Sequence, residues 1–191
     1  MTRSVISVRP AIGEDAPVLA DLWVDSLRPR DLAGRVQDCR ELVVAAAADA
    51  GRRILVAEHD GVVVGAVHLV LSTLSPVNLD RTVVVSALQV ADGFRRHGVG
   101  TALMDACVTV AEQAGVAQLA VGVQATSRDA NRFMARLALT PRATLRVAET
   151  SAVRARLGAL RPQPVRAGAG ASSRVEMVLA ARRLRRRAQE V

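Results

Sequence analysis

Hydrophobic residues in this chain recur in two rhythms, every second position in some stretches and every third or fourth in others. The switches between these rhythms outline the elements. Val5 to Arg9 alternates and predicts a first strand. Pro10 and Gly13-Glu14-Asp15 then open a helix with Leu19, Leu22, Trp23, Ser26 and Leu27 at helical spacing. Arg28-Pro29 interrupts it, Asp31 is placed to cap a second helix to about Ala50, and Gly51 is placed to end that helix.

Arg53 to Glu58 reads as a strand, His59-Asp60-Gly61 as a turn and Val62 to Leu71 as the returning strand. Arg81 to Val90 is a further strand, dense in valine. Gly98 to Ala114 is a helix with Val99, Leu103, Ala106, Cys107, Val110 and Ala114 on one face, stopped by Gly115. Ala117 to Val123 reads as a buried strand and Ser127 to Leu139 as a helix. Pro141 to Val147 and Arg174 to Ala180 are the last candidate strands. Hairpins followed by β-α-β crossovers predict an α/β (α+β) fold. The expected sheet is mixed, mostly antiparallel, with about six or seven strands and helices on both faces.

Length and charge refine this outline. The chain has 191 residues, enough for one domain with a sizeable core. Residues 1–180 are expected to form that domain, with a long Pro/Gly/Ala loop at 158–173, and residues 181–191 to form an arginine-rich tail. The net charge is +8, and all 26 basic residues are arginine. By count, residues 1–150 hold 16 arginines and 16 acids, while residues 151–191 hold 10 arginines and 2 acids. The surplus therefore belongs to the C-terminal part, around Arg182-Arg183-Leu184-Arg185-Arg186-Arg187.

Composition also excludes chemistry. Without lysine there is no Walker-type phosphate loop and no Schiff base. The only aromatics are Trp23, Phe94 and Phe133, too few for base-stacking platforms, so a nucleic-acid partner is not expected. Cys39 and Cys107 sit among apolar neighbours and read as core residues. With three scattered histidines they make no zinc pattern, so no metal is expected. The N-terminus has no signal-peptide pattern, and the longest uncharged run is better read as strand and loop than as a membrane span. The expected location is cytoplasmic.

One segment carries most of the chemical information. Val90-Ala91-Asp92-Gly93-Phe94-Arg95-Arg96-His97-Gly98-Val99-Gly100-Thr101 joins a strong strand to a strong helix. Gly98 and Gly100 let the backbone approach a ligand, the helix start adds a positive dipole end, and Arg95 and Arg96 add charge. Together they suit a diphosphate. A dinucleotide-binding fingerprint is the rival, but its third glycine is replaced by Leu103. No acid ends a strand about 20 residues on.

Arg95-Arg96-His97-Gly98-Val99-Gly100 resembles the Arg/Gln-x-x-Gly-x-Gly/Ala signature of the GNAT superfamily of N-acetyltransferases, and the order of elements is similar to that family's. The resemblance implies an acyl-CoA N-acyltransferase fold with acetyl-CoA as acyl donor and an amine as acceptor. Backbone amides from Arg95 through His97, Gly98, Val99 and Gly100 to Thr101 would cradle the pyrophosphate. Leu88, Gln89 and Val90 would flank the pantetheine arm, with Leu88 and Val90 pairing as if to an added strand. Ser127 and Asn131 on the following helix complete the expected cofactor contacts. The strand Arg81–Val90 would splay from Ala117–Val123 to hold the arm.

The chain also departs from the family pattern. Ser127 to Leu139 matches Asn-x-x-Ala-x-x-x-Tyr-x-x-x-Gly-Phe only in part. Ala130 is retained, while Ser127 replaces Asn, Met134 replaces Tyr, and Ala138-Leu139 replaces Gly-Phe. The tyrosine commonly protonates the leaving thiolate, and this chain has none. Slow catalysis, a substitute such as water or Ser127, and a CoA-binding module without turnover all stay open. The catalytic base is unassigned. His68 is a candidate, His59 reads as a turn residue, and His97 as part of the phosphate loop. Asp21, Asp25, Asp31 and Asp38 make the first two helices acidic, which suits an amine but equally a solvated face. Trp23 reads as core. The oligomeric state stays open, a homodimer included.

Overall fold

The structure is a computed structural model that describes residues 5–160. Five strands form one sheet in the order β1-β2-β3-β4-β5. They are β1 (Ile6–Pro10), β2 (Arg52–His59), β3 (Val62–Ser75), β4 (Asn78–Val90) and β5 (Gln118–Val121). The first four pair antiparallel, and β5 joins β4 in parallel. The helices are α1 (Ala16–Leu22), α2 (Leu32–Ala48), α3 (Val99–Gln113), α4 (Arg128–Arg136) and α5 (Thr150–Leu160). Contacts divide the chain after Arg142, and among the described residues the second unit contributes α5. No helix among the described residues is long and apolar enough to cross a membrane.

Local chemistry explains the elements. Asp60 and Gly61 both take positive φ, 51° and 81°, the conformation a two-residue hairpin turn requires. Asp31 caps α2 by accepting from the Gly34 amide at 2.9 Å. Gly115, at φ 62°, ends α3, with its own amide on the Glu112 carbonyl and the Val116 amide on that of Ala111.

Strand alternation sorts apolar side chains to two faces, each with its own core. Ile54, Val56 and Ala66 pack against Leu19, Ala20 and Trp23 near α1, and against Cys39 and Val43 of α2. Leu55, Ala57, Val67, Leu69, Val83 and Val85 pack on the other face against Val99, Leu103, Met104 and Cys107 of α3. Both cysteines are core residues, and burial pushes the Cys107 thiol up to about 11.

Several expectations need correction. Five strands are present among the described residues rather than six or seven. Pro141 to Val147 is not a strand. Leu145 and Val147 are exposed there, and Pro141 brings no ladder donor. The stretch 72–80 is mostly strand, because β3 and β4 form a long hairpin that turns only at Pro76-Val77. The first helix ends at Leu22, and the Trp23 carbonyl accepts the amides of Ser26 and Leu27 in a turn. The second helix ends at Ala48, where Asp49 turns the chain and accepts from the Gly51 amide. Of the predicted loop, Gly158 to Leu160 belongs to α5. The rest of it, the Arg174–Ala180 strand and the tail lie outside the described residues.

Candidate functional site

The site begins where β4 and β5 part. Their pairing runs from Thr82 opposite Gln118 to Val85 opposite Val121, and the Gly122 amide makes a last bond to the Val85 carbonyl. Beyond Val85, β4 continues to Val90 without β5 beside it, so that backbone edge has no strand partner among the described residues. A bulge marks the change. Register against β3 shifts between Ala66 and His68, and Ala87 adopts φ 51°. The carbonyl of Ala87 accepts a 2.7 Å hydrogen bond from the indole Nε1 of Trp23, itself 3% exposed.

The chain then makes one 3-10 turn, Asp92–Phe94, and enters α3. Arg96 has φ 65° and Gly98 φ 88°. The loop is braced from within by the ion pair of Arg95 with Asp92 at 2.8 Å, and by His97 Nδ1 at 2.9 Å from the Arg95 carbonyl. The first helical bond runs from the Ala102 amide to the Gly98 carbonyl. A helix leaves the amides before that bond unpaired within itself, so Val99, Gly100 and Thr101 present theirs at its open end. Gly65 on β3 lets this helix start close to the sheet. A Cβ there would stand 2.9 Å from Val99 Cγ1, 3.1 Å from the Gln89 carbonyl and 3.2 Å from Leu103 Cδ1.

Ser127 starts α4, its hydroxyl oxygen accepting from the Ala130 amide. Asn131 Nδ2 donates to the carbonyls of Gln124, Ala125 and Ser127, at 3.2, 3.4 and 2.7 Å, and ties down the loop before the helix. Phe133 carbons lie 3.6 Å from where a Gly100 Cβ would be, so α4 closes over the start of α3.

These pieces enclose a cleft of about 780 Å³, a volume typical of small-molecule sites. β4 supplies Leu88, Gln89 and Val90, and the loop and α3 supply Arg95, Arg96, Gly98, Gly100 and Thr101. α4 and its cap supply Ser127, Asp129, Ala130, Arg132, Phe133 and Arg136. Nine of the twelve residues singled out from the sequence thus line one cavity. Val99 is instead in the core, His97 braces the loop, and Asn131 holds backbone. Asp129, Arg132, Phe133 and Arg136 were missed. Their spacing of i, i+3, i+4 and i+7 was the available signal, since it sets all four on one helix face.

Other candidates sort by contact. Met134, at the tyrosine position, is buried. His68 is half-buried, with Nδ1 3.1 Å from Ser86 Oγ, and does not line the cleft. Desolvation and then the nearby Arg52 lower its pKa below the ordinary histidine value. His59 packs its ring against Phe94. Of the four helix acids, Asp31 is a cap and Asp38 is paired with Arg28 and Arg30, leaving Asp21 and Asp25 on the surface.

Known structures share this architecture. A transcriptional regulator from Bacillus halodurans C-125 superposes with TM-score 0.64 at 16% identity, over 76% of this chain and 100% of that one. A ribosomal-protein-alanine N-acetyltransferase from Brucella melitensis biovar Abortus 2308 gives 0.59 at 21% identity, over 76% and 99%. The aminoglycoside N-acetyltransferase AAC(6')-Iy, in complex with CoA, gives 0.64 at 14% identity, over 78% and 97%. No curated protein matches the sequence. The model of the acetyltransferase (GNAT) family covers residues 18–138, from α1 through the cleft to the end of α4. On that match over more than half of its length, the chain belongs to the GNAT acetyltransferase family.

Proposed function

We propose that this protein transfers the acetyl group of acetyl-CoA to an amine by direct attack in a ternary complex. The amine nitrogen forms a bond to the thioester carbonyl carbon, the carbon–sulfur bond breaks, and the thiolate leaves with a proton. The carrying observation is the unpaired edge of β4 beyond Val85, opening beside the bare amides of α3. In this reading, backbone groups of Leu88 and Val90 pair with the pantetheine arm as with an added strand. Amides from Arg96 to Thr101, with the charge of Arg95 and Arg96, take the diphosphate. An amide beside the Ala87 bulge polarises the thioester carbonyl.

Proton handling needs substitutes for the missing tyrosine. Ser127 lines the cleft, and its hydroxyl oxygen accepts from Ala130, which leaves its proton free to donate. A thiol pKa of roughly 8.5 makes the thiolate a tolerable leaving group even with weak assistance. Water is the base in this scheme. The buried Met134 at the tyrosine position favours a second reading, a CoA-binding module with little turnover, since losing a positioned acid costs about 10²–10⁴-fold.

Thiol release from acetyl-CoA, measured with a panel of amines, separates the two. Release above the amine-free rate is the expected result. Saturable CoA binding with no release on any amine would establish the second reading instead.

A further inference from the structure

Four arginines line the cleft, more positive charge than a diphosphate alone requires. Arg95 and Arg96 stand on the loop wall, Arg132 and Arg136 on the α4 wall. The α4 pair is one helical turn apart, so both heads leave the same face. Arg95 is held by Asp92 at 2.8 Å. Arg132 Nη1 reaches Asp129 Oδ1 only at 4.0 Å, a loose pair. Arg96 and Arg136 have no carboxylate partner among the described residues. The guanidinium of Arg136 lies 5.8 Å from the centre of the Phe133 ring, which keeps it on the cleft wall.

A diphosphate brings about two charges, matched by Arg96 and the open amides of α3. The α4 wall across from them then stays positive. Its single carboxylate, Asp129, is the loose partner of Arg132. A ligand with a further phosphate beyond its diphosphate would complete the balance. CoA carries such a group, a monoester on the ribose 3′-oxygen, and guanidinium heads suit it because they bind phosphate oxygens in pairs.

We propose that Arg132 and Arg136 bind the ribose 3′-phosphate of CoA and thereby select a free nucleotide-bearing acyl donor. A phosphopantetheine arm carried on a protein lacks that group and is disfavoured. The inference rests on the reading of the cleft as a CoA site.

The test is calorimetric titration of the full chain with CoA and with 3′-dephospho-CoA. The proteins compared are wild type, the double variant Arg132→Gln/Arg136→Gln, and Arg96→Gln. Arg132 and Arg136 are exposed and glutamine is a comparable helix former, so the double variant keeps its fold. Wild type is expected to prefer CoA by about tenfold to a hundredfold, as for charge-assisted hydrogen bonds. The double variant is expected to bring that ratio close to one. Arg96→Gln is expected to weaken both ligands together and leave the ratio standing. A wild-type ratio near one, or a double variant that keeps the preference, overturns the inference and leaves the CoA site in place. Failure of either ligand to bind wild type overturns the CoA reading itself, and this inference with it.

Discussion

The indole Nε1 of Trp23 donates to the carbonyl of Ala87 at 2.7 Å, joining the end of α1 to the bulge at which β4 leaves its register. Ala87 holds φ 51°, an unfavourable conformation for a residue with a Cβ, so the bulge depends on partners of this kind. Trp23→Phe keeps a ring in the core but removes the donor. The unfolding free energy should fall by about 1–3 kcal/mol, the usual cost of an orphaned carbonyl. Urea denaturation checks this, with the midpoint lowered and the slope unchanged.

Gly65 is the second support of the site. A methyl there meets Val99 and Leu103 of α3 and the Gln89 carbonyl. Gly65→Ala should destabilise by about 1–3 kcal/mol through overpacking, and should weaken CoA binding because the start of α3 is displaced. Thermal melting and titration with CoA read the two effects. Unchanged values in both would show that α3 has room to spare.

Ala138 occupies a position made for glycine. It has φ 59°, and the Leu139 amide returns to the Met134 carbonyl as α4 ends. A left-handed alanine costs roughly 1–2 kcal/mol, so Ala138→Gly should raise stability, offset in part by the flexibility glycine adds to the unfolded chain. A Tm increase of a few degrees, on the scale of about 1 kcal/mol, is the expected result.

Asp38 ties α2 to the segment before it. Arg28 contacts both its oxygens, at 2.7 and 2.6 Å, and Arg30 stands at 3.7 Å. The Arg28 hydrogen bonds hold the Asp38 carboxyl below its ordinary pKa, against the opposing effect of desolvation. A lowered folded pKa stabilises the fold above the unfolded value of about 3.9, and that contribution is lost as pH falls through the lower folded value. Asp38→Asn should therefore lower the Tm at pH 7, and its difference from wild type should shrink as the pH falls below the unfolded carboxylate value of about 3.9. Melting curves across that range check the sign.

Much of this was legible in the sequence because it is written in local signals. Asp60-Gly61 is a hairpin turn by composition, Asp31 is a cap, and Gly98 and Gly100 announce the start of α3. The glycine-bearing loop before α3 and the strand end Leu88–Val90, which line the cleft, carry such signals too. Features set by tertiary contact were not. The bulge at Ala87 has no glycine to mark it, since a tryptophan 64 residues away in the chain supports it. Gly65 looks like an ordinary strand glycine until α3 is laid over it. The α4 stripe becomes a cleft wall only once Phe133 is placed against Gly100, a contact between residues 33 positions apart.

A crystal structure with CoA bound tests the proposed diphosphate site most directly. The diphosphate is predicted within hydrogen-bonding reach of the amides from Arg96 to Gly100, with the arm beside the free edge of β4. A diphosphate bound elsewhere, or no CoA in the cleft at millimolar concentration, would contradict it.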